Sequence, residues 1–257
     1  MSGFSAEWLA LRESADAAAR SEALVAFVGR RSQGRLLDLG GGTGANIRYL
    51  SPRFPTPQRW TIVDDDGDLL ARAPVDVERR RADLNRALED EDLFRDCGLV
   101  TASALLDLVS ERWLMRLIDK CRQVSARVLF ALTYDGRTSC APVELEDDEV
   151  VRLINEHQRR DKGFGAALGP AASSRAVELL TLAGYEVKQD RSDWHLGPAD
   201  AALQRELIDG WAFAASEMRS EGAAAFADWR SRRLSHIDAG RSRIVVGHVD
   251  IAGMCRA

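Results

Sequence analysis

Four glycines fall within five positions at residues 40–44, directly after the apolar run "LLDL". Each glycine is costly to order, so a chain concentrates them where its backbone must turn sharply or be closely approached. The segment before them, "GRLLDLG", reads as a short buried strand, and "ANIRYLS" after them reads as a helix. A strand–glycine–helix unit points backbone N–H groups and a helix N-terminus at one spot. That unit restricts the chain to α/β folds built around a strand-end binding site.

The rest of the chain keeps the same rhythm. "RWTIVDDD", "VDVERRRADL", "CGLVTAS" and "ARVLFALTYDG" read as strands, the second polar enough for a sheet edge. Helical segments such as "GDLLARA" and "SERWLMRLIDKCRQV" lie between them. This alternation predicts βαβ units and a parallel sheet. After residue 136 the rhythm breaks. Residues 137–172 and 198–238 are helical insertions, separated by the helix–strand segment "SSRAVELLTLAGYEVKQD", and "SRIVVGHVDIAG" closes the chain as a strand. Residues 1–33 form an N-terminal helical segment and 34–136 the glycine-bearing half. The expectation is one domain over 1–257, with both insertions forming a lid over one pocket.

Composition narrows the function classes. A chain of 257 residues with 46% hydrophobic content is ample for a core. The formal charge of −5 disfavours nucleic acid, whose binding usually rests on a basic face. Cys97, Cys121, Cys140 and Cys255 show no CxxC spacing, so no metal centre or disulfide framework is expected. Charged residues at Glu7, Arg12, Glu13 and Asp16 exclude a signal-peptide core there, and no apolar run approaches a membrane span. The chain reads as a cytoplasmic protein.

Three ligands commonly use such a loop: a nucleoside triphosphate, a nicotinamide dinucleotide and S-adenosylmethionine. A triphosphate loop ends in Gly-Lys-Ser/Thr, whereas Ala45 and Asn46 follow Gly44 here. Gly40, Gly42 and Ala45 do satisfy the dinucleotide pattern, with Asp64 about 20 positions on. Asp38 stands against it, because a carboxylate two residues before the first glycine would repel a pyrophosphate. A cationic sulfonium would be favoured by it, or the carboxylate could orient the loop.

"LLDLGGGTG" resembles motif I, D-x-G-x-G-x-G, of the class I S-adenosylmethionine-dependent methyltransferases. "TIVDDDGDLLARA", "RADL" and "LVTASALLDLVS" are similar to the motifs that follow it, in the same order. The resemblance implies S-adenosylmethionine as cofactor, held by Asp38, Gly40, Gly41, Gly42 and Gly44. It places the ribose on Asp64 beside Asp65, the adenine at Asp83 and Leu84, and the methionine end near Thr101 and Ala102. Gly98 stands where the family often begins its fourth strand with Asp. The implied fold is a Rossmann-like doubly wound sheet of seven mostly parallel strands, with a reversed last strand from "RIVVGHVDI". A fold that binds the cofactor or a partner without turnover is the alternative, ahead of a nicotinamide oxidoreductase.

The methyl acceptor leaves fewer marks. The strand-four exit lacks the Asn/Asp-Pro-Pro-aromatic run linked to adenine or glutamine methylation, which with the acidic charge favours a small molecule. Val150, Ile154, His157 and Asp161 share one helical face, so His157 and Asp161 read as a base and its orienting partner, or as a structural pair at a helix end. Tyr134 and His195 are further candidates, with a structural hydroxyl the competing role for Tyr134. Arg12 and Arg20 share a side of the first helix; one could hold the methionine carboxylate, and Arg20 is assigned that role. Gly163, Gly165 and Gly169 offer hinges, and Phe164 a plug. Trp211, Phe226 and Trp229 suit lid packing, an acceptor pocket or a homodimer contact.

Overall fold

The computed structural model describes residues 5–29, 34–55 and 57–255; parts of the expected N-terminal segment 1–33 lie outside them. Two helices open the chain, α1 (Ala6–Ala19) and α2 (Glu22–Gly29). Then come β1 (Arg35–Leu39), α3 (Ala45–Leu50), β2 (Arg59–Asp64), α4 (Gly67–Ala71), β3 (Glu78–Arg81), α5 (Leu84–Ala87), α6 (Glu91–Phe94) and β4 (Cys97–Ser103). They are followed by α7 (Glu111–Gln123), β5 (Arg127–Ala141), α8 (Asp147–His157), α9 (Ala172–Leu182), β6 (Tyr185–Arg191) and β7 (Trp194–Leu196). The last elements are α10 (Ala201–Met218), α11 (Ala223–Asp238) and β8 (Arg243–Cys255).

The sheet runs β3-β2-β1-β4-β5-β8-β6, with β7 also paired to β8. Pairings among β1 to β5 are parallel, and every pairing of β8 is antiparallel. The expected reversed last strand is therefore present, inserted between β5 and β6. The order reverses at β1/β4, which opens a crevice at the strands' carboxyl ends. β3, with all four residues exposed, is the polar edge expected of it.

Two differences from the sequence reading share one cause. The sheet has eight strands rather than seven, and β5 continues to Ala141 instead of stopping near Gly136. Gly136 takes φ +86° and the β5–β8 register shifts between Tyr134 and Thr138, so the apolar run breaks while the strand continues. Beyond that irregularity β5 alternates half-buried and exposed residues, pairs with β8 from Thr138 to Ala141, and leaves β8's other edge for β7. The first expected insertion thus begins as strand.

Strand alternation sorts the core. Leu37 and Leu39 face α5, α6, α7 and α9, whereas Leu36 faces α2, α3 and α4. A third cluster joins α8, α10, α11 and β7 to the outer halves of β5 and β8, with Phe226 and Trp229 buried inside it. Trp8, Leu11 and Ala15 of α1 pack against the same cluster. Both helical insertions therefore belong to one body, clamped by an ion pair. Arg233 of α11 is fully buried and pairs with Asp147, which also accepts from Trp229 Nε1 at 2.8 Å.

Candidate functional site

The glycine loop sits at the reversal point, and its geometry explains its composition. Gly40, Gly42 and Gly44 take φ of +63°, +52° and +78°, the left-handed region that glycine tolerates. Gly41 has a different reason: a Cβ there would lie 2.5 Å from Ile62 Cγ1 and 2.7 Å from Asp38 Oδ2. The amides of Gly40 and Gly41 donate to Val63 O at 2.8 and 3.2 Å, binding the loop to β2. Gly44 then serves as the N-cap of α3.

Asp64 ends β2 beside this loop. Its Oδ2 accepts the Gly42 amide at 2.8 Å and its Oδ1 accepts the Asp66 amide at 3.0 Å. Each carboxylate oxygen keeps capacity for a second donor. Burial raises the Asp64 pKa against the lowering effect of those two amides. Asp65 is exposed, and its carbonyl accepts from Arg81 Nε at 3.0 Å. Across the crevice, Leu84 and Leu105 side chains reach 3.6 and 3.5 Å from the point a Cβ on Gly40 would occupy. Asp83 is exposed and caps α5 by accepting from the Asn85 and Arg86 amides at 2.8 and 3.2 Å.

Asp38 lies beneath the loop, not in the crevice. It is fully buried and its Oδ1 accepts from Asn46 Nδ2 at 2.6 Å. Asn46 Oδ1 in turn accepts from Arg20 Nη1 at 2.9 Å, and Arg20 Nε stands 3.4 Å from Asp250 Oδ2. Asp250 also accepts the amides of Ser21 and Leu132 at 3.0 and 2.8 Å. One buried chain of polar groups thus ties motif I to the end of α1 and to a left-handed turn in β5, where Leu132 has φ +52°. Through Asn46, Asp38 is tied to the first turn of α3 directly behind the loop.

Burial pushes the Asp38 carboxyl up to about 7, against its Asn46 bond and the Arg20 charge. A folded-state pKa above the unfolded value means the native state holds the proton more tightly. This group's stabilising contribution is present below the unfolded pKa and is lost as pH rises from about 4 through about 7. Asp38→Asn should remove roughly 2–3 kcal/mol of the stability lost between about pH 5 and 8. Urea unfolding at both pH values checks this; parallel wild-type and variant profiles would refute it.

A pocket of about 280 Å³ opens between α1 and α3, lined in part by Glu13, Asp16, Arg20, Asn46, Tyr49 and Ser103. Arg20 is 7% exposed, and its Nη2 has no hydrogen-bond partner. Its guanidinium lies 4.7 Å from the Tyr49 ring centre. The backbone near Thr101 and Ala102 is expected to line the methionine end, and the side chains of both residues are buried. Thr101 Oγ1 donates to Leu129 O at 2.7 Å and accepts from Asn46 at 3.2 Å, while Ser103 is the β4 residue that reaches the pocket. Asn46, Asp250 and Ser103 were missed, although a lone acid inside the apolar run "VVGHVDIAG" carries the same signal as Asp38.

The acceptor-side candidates are not brought together. The helix bearing His157 ends there, so Asp161 falls off its face and uses Oδ1 to accept the Gly163 and Gly165 amides at 2.7 and 2.9 Å. His157 Nε2 lies 3.1 Å from Glu217 Oε2 of α10, and desolvation leads the lowering of its pKa. The pair expected from spacing does not form. His195 is exposed on β7, between buried Trp194 and Leu196. Tyr134 is buried and donates to Asn155 Oδ1 at 2.8 Å, with burial pushing its pKa up to about 12. Arg12 pairs with Asp16 at 2.8 Å and lies 4.9 Å from the Trp194 ring centre. Phe164 meets Trp113 edge-on at 5.6 Å.

No protein-family model and no curated protein matches the chain. Solved structures do. A cyclopropane-fatty-acyl-phospholipid synthase-like protein from Lactobacillus casei is 10% identical at a TM-score of 0.56, covering 97% of this chain and 94% of that one. A protein from Anaeromyxobacter dehalogenans, provisionally described as a type II methyltransferase, is 18% identical at a TM-score of 0.54, over 91% of this chain and 96% of that one. Phosphoethanolamine N-methyltransferase 2 from Haemonchus contortus, solved with S-adenosyl-L-methionine, is 14% identical at a TM-score of 0.45, over 91% of this chain. The present chain spans about half, 52%, of that protein's length. At these identities the likeness concerns architecture: the first two share this chain's mixed α/β fold.

Proposed function

We propose that the chain is an S-adenosylmethionine-dependent methyltransferase acting on a small-molecule acceptor. The observation that carries this reading is the left-handed glycine loop at the β1/β4 reversal, braced from below by Asp38 and flanked by the Asp64 carboxylate. The residues present suit the cofactor's parts. Asp64 can take two hydroxyl donors, Leu84 and Leu105 offer an apolar seat, and Arg20 keeps an unpartnered buried nitrogen for a carboxylate. When bound, this cofactor supplies a methyl group activated on a sulfonium. The chain's own contribution is then mainly positioning and exclusion of water, for which α1 is placed over the loop: Leu9 Cδ1 stands 3.0 Å from the Cβ position of Gly42.

The antiparallel strand between β5 and β6 argues against the nicotinamide alternative, whose sheet is parallel in the order 3-2-1-4-5-6. Asp64→Ala removes the carboxylate that would take the ribose and also frees two loop amides. Loss of charge-assisted bonds worth about 1.5–3 kcal/mol should weaken S-adenosylhomocysteine binding roughly ten- to hundredfold. Isothermal titration calorimetry measures it. A variant that binds as tightly as wild type would remove Asp64 from the site.

A further inference from the structure

Beside the cofactor crevice lies a group of buried polar atoms that the proposed function does not use. Asp107 follows β4 and is 6% exposed; His248 of β8 is 5% exposed; Thr133 of β5 is fully buried. Asp107 Oδ1, His248 Nδ1 and Thr133 Oγ1 have no hydrogen-bond partner, and neither has Trp8 Nε1 on α1. An unpaired buried polar atom costs about 1–3 kcal/mol. Several in one region mark groups kept for a ligand rather than for the fold.

The atoms converge. His248 stands opposite Tyr134 in the β5–β8 ladder, its ring 6.3 Å from Tyr134 and 5.0 Å from Trp194. Arg12 reaches over the Trp194 ring at 4.9 Å, and its charge acts on both Asp107 and His248. The Tyr134 amide faces the Asp107 carboxyl. Two residues before Asp107, Leu105 rests on Gly40, so this cluster adjoins the crevice. The insertion closes it from the other side: Gly169 N donates to Asp107 O at 3.0 Å and Leu168 N to Val109 O at 2.9 Å.

We propose, resting on the methyltransferase reading, that Asp107 and His248 form the acceptor site, roofed by Trp8 and Arg12 of α1. The unpartnered atoms are mostly hydrogen-bond acceptors, and aromatic rings border them, which fits a compact planar molecule carrying hydroxyl or amino hydrogens. Arg12 is paired with Asp16, and an anionic acceptor would bring no hydrogen for Asp107 Oδ1 to accept. In the transfer, the acceptor's oxygen or nitrogen forms the new bond to the methyl carbon. The carbon–sulfur bond of the sulfonium donor breaks with its electron pair left on sulfur, and the acceptor's proton passes to Asp107 Oδ1. Burial holds the Asp107 carboxyl up at about 6, opposed by Arg12 of α1, the Tyr134 amide of β5 and Lys162 of the insertion. A base poised there suits transfer near neutrality. Burial holds the His248 imidazole down at about 3, with Arg12 and Arg137 lowering it further and Asp193 opposing. Its ring therefore stays neutral and able to accept.

The test uses the full chain with nitrogen-15-labelled histidine, saturated with S-adenosylhomocysteine, and catechol, phenol, aniline, anisole and benzoate as probes. Catechol, phenol or aniline should shift the His248 ring resonances, while anisole and benzoate leave them in place. Asp107→Asn should bind the active probes at least about tenfold more weakly, with S-adenosylhomocysteine affinity within about twofold of wild type. Probe-induced shifts at His157 with none at His248, no shift from any probe, or an Asp107→Asn affinity equal to wild type would overturn the proposal. The wild-type resonances decide the matter even where a variant folds poorly. A chain that fails to bind S-adenosylhomocysteine overturns the cofactor reading itself, which the same sample reports separately.

Discussion

Gly41→Ala is expected to abolish cofactor binding and to lower stability by about 1–3 kcal/mol, the usual cost of forcing an added methyl group into a packed site. The reason is steric rather than conformational. A methyl group at position 41 meets Ile62, which is fully buried and cannot swing into solvent, and the oxygen of Asp38 on the other side. Relief requires the loop to lift off β2, which breaks the Gly40 and Gly41 bonds to Val63 and moves Gly42 away from Asp64. Gly40→Ala makes the informative comparison. Its Cβ has 3.5 Å of clearance, so it carries only the strain of φ +63° and should lose less. Thermal unfolding and titration with S-adenosylhomocysteine measure both effects. Equal behaviour of the two variants would mean that Gly41 is not the close-contact position.

The second large effect lies far from the glycines. Arg233→Ala should destabilise the chain by about 3–5 kcal/mol, because it strands the Asp147 carboxylate in a buried site. Arg233 donates Nε to Asp147 Oδ1 at 3.1 Å and Nη1 to Pro142 O at 2.5 Å, while Glu144 N and Trp229 Nε1 hold the same carboxylate from other sides. The Arg233 and Trp229 contacts link α11 to the start of α8 and to the segment before it, so the loss should loosen the helical insertions first. The double variant Arg233→Met with Asp147→Leu should recover much of the stability, since apolar replacement of both partners removes the uncompensated charge. Urea unfolding of the single and double variants tests this; a single variant within about 1 kcal/mol of wild type would contradict a structural role for the pair.

What the sequence revealed follows from locality. Glycine spacing, Asp38 two residues before the loop and Asp64 at a strand end are all set within a few residues, and each lies at the crevice or directly under it. The polar edge strand was legible for the same reason, whereas the reversed last strand followed from the family resemblance. The acceptor side depends on pairs remote in the chain, such as Tyr134 with His248 and Asp107 with Gly169, which no periodicity reports. Helical spacing put His157 and Asp161 on one face, but the helix stops at His157 and the following turn claims Asp161 for its amides. The eighth strand is three residues long, with a partner that exists only because β5 continues past Gly136.

On the proposed function these elements form one arrangement: a loop to hold a methyl donor, a buried polar chain from Asp38 to Asp250 beneath it, and a helical body beside the proposed acceptor site. Isothermal titration of the full chain with S-adenosylmethionine and S-adenosylhomocysteine tests that claim most directly. The account predicts saturable binding of both, at one site per chain and in the micromolar range or tighter. Folded chain that binds neither at high micromolar concentration would contradict it.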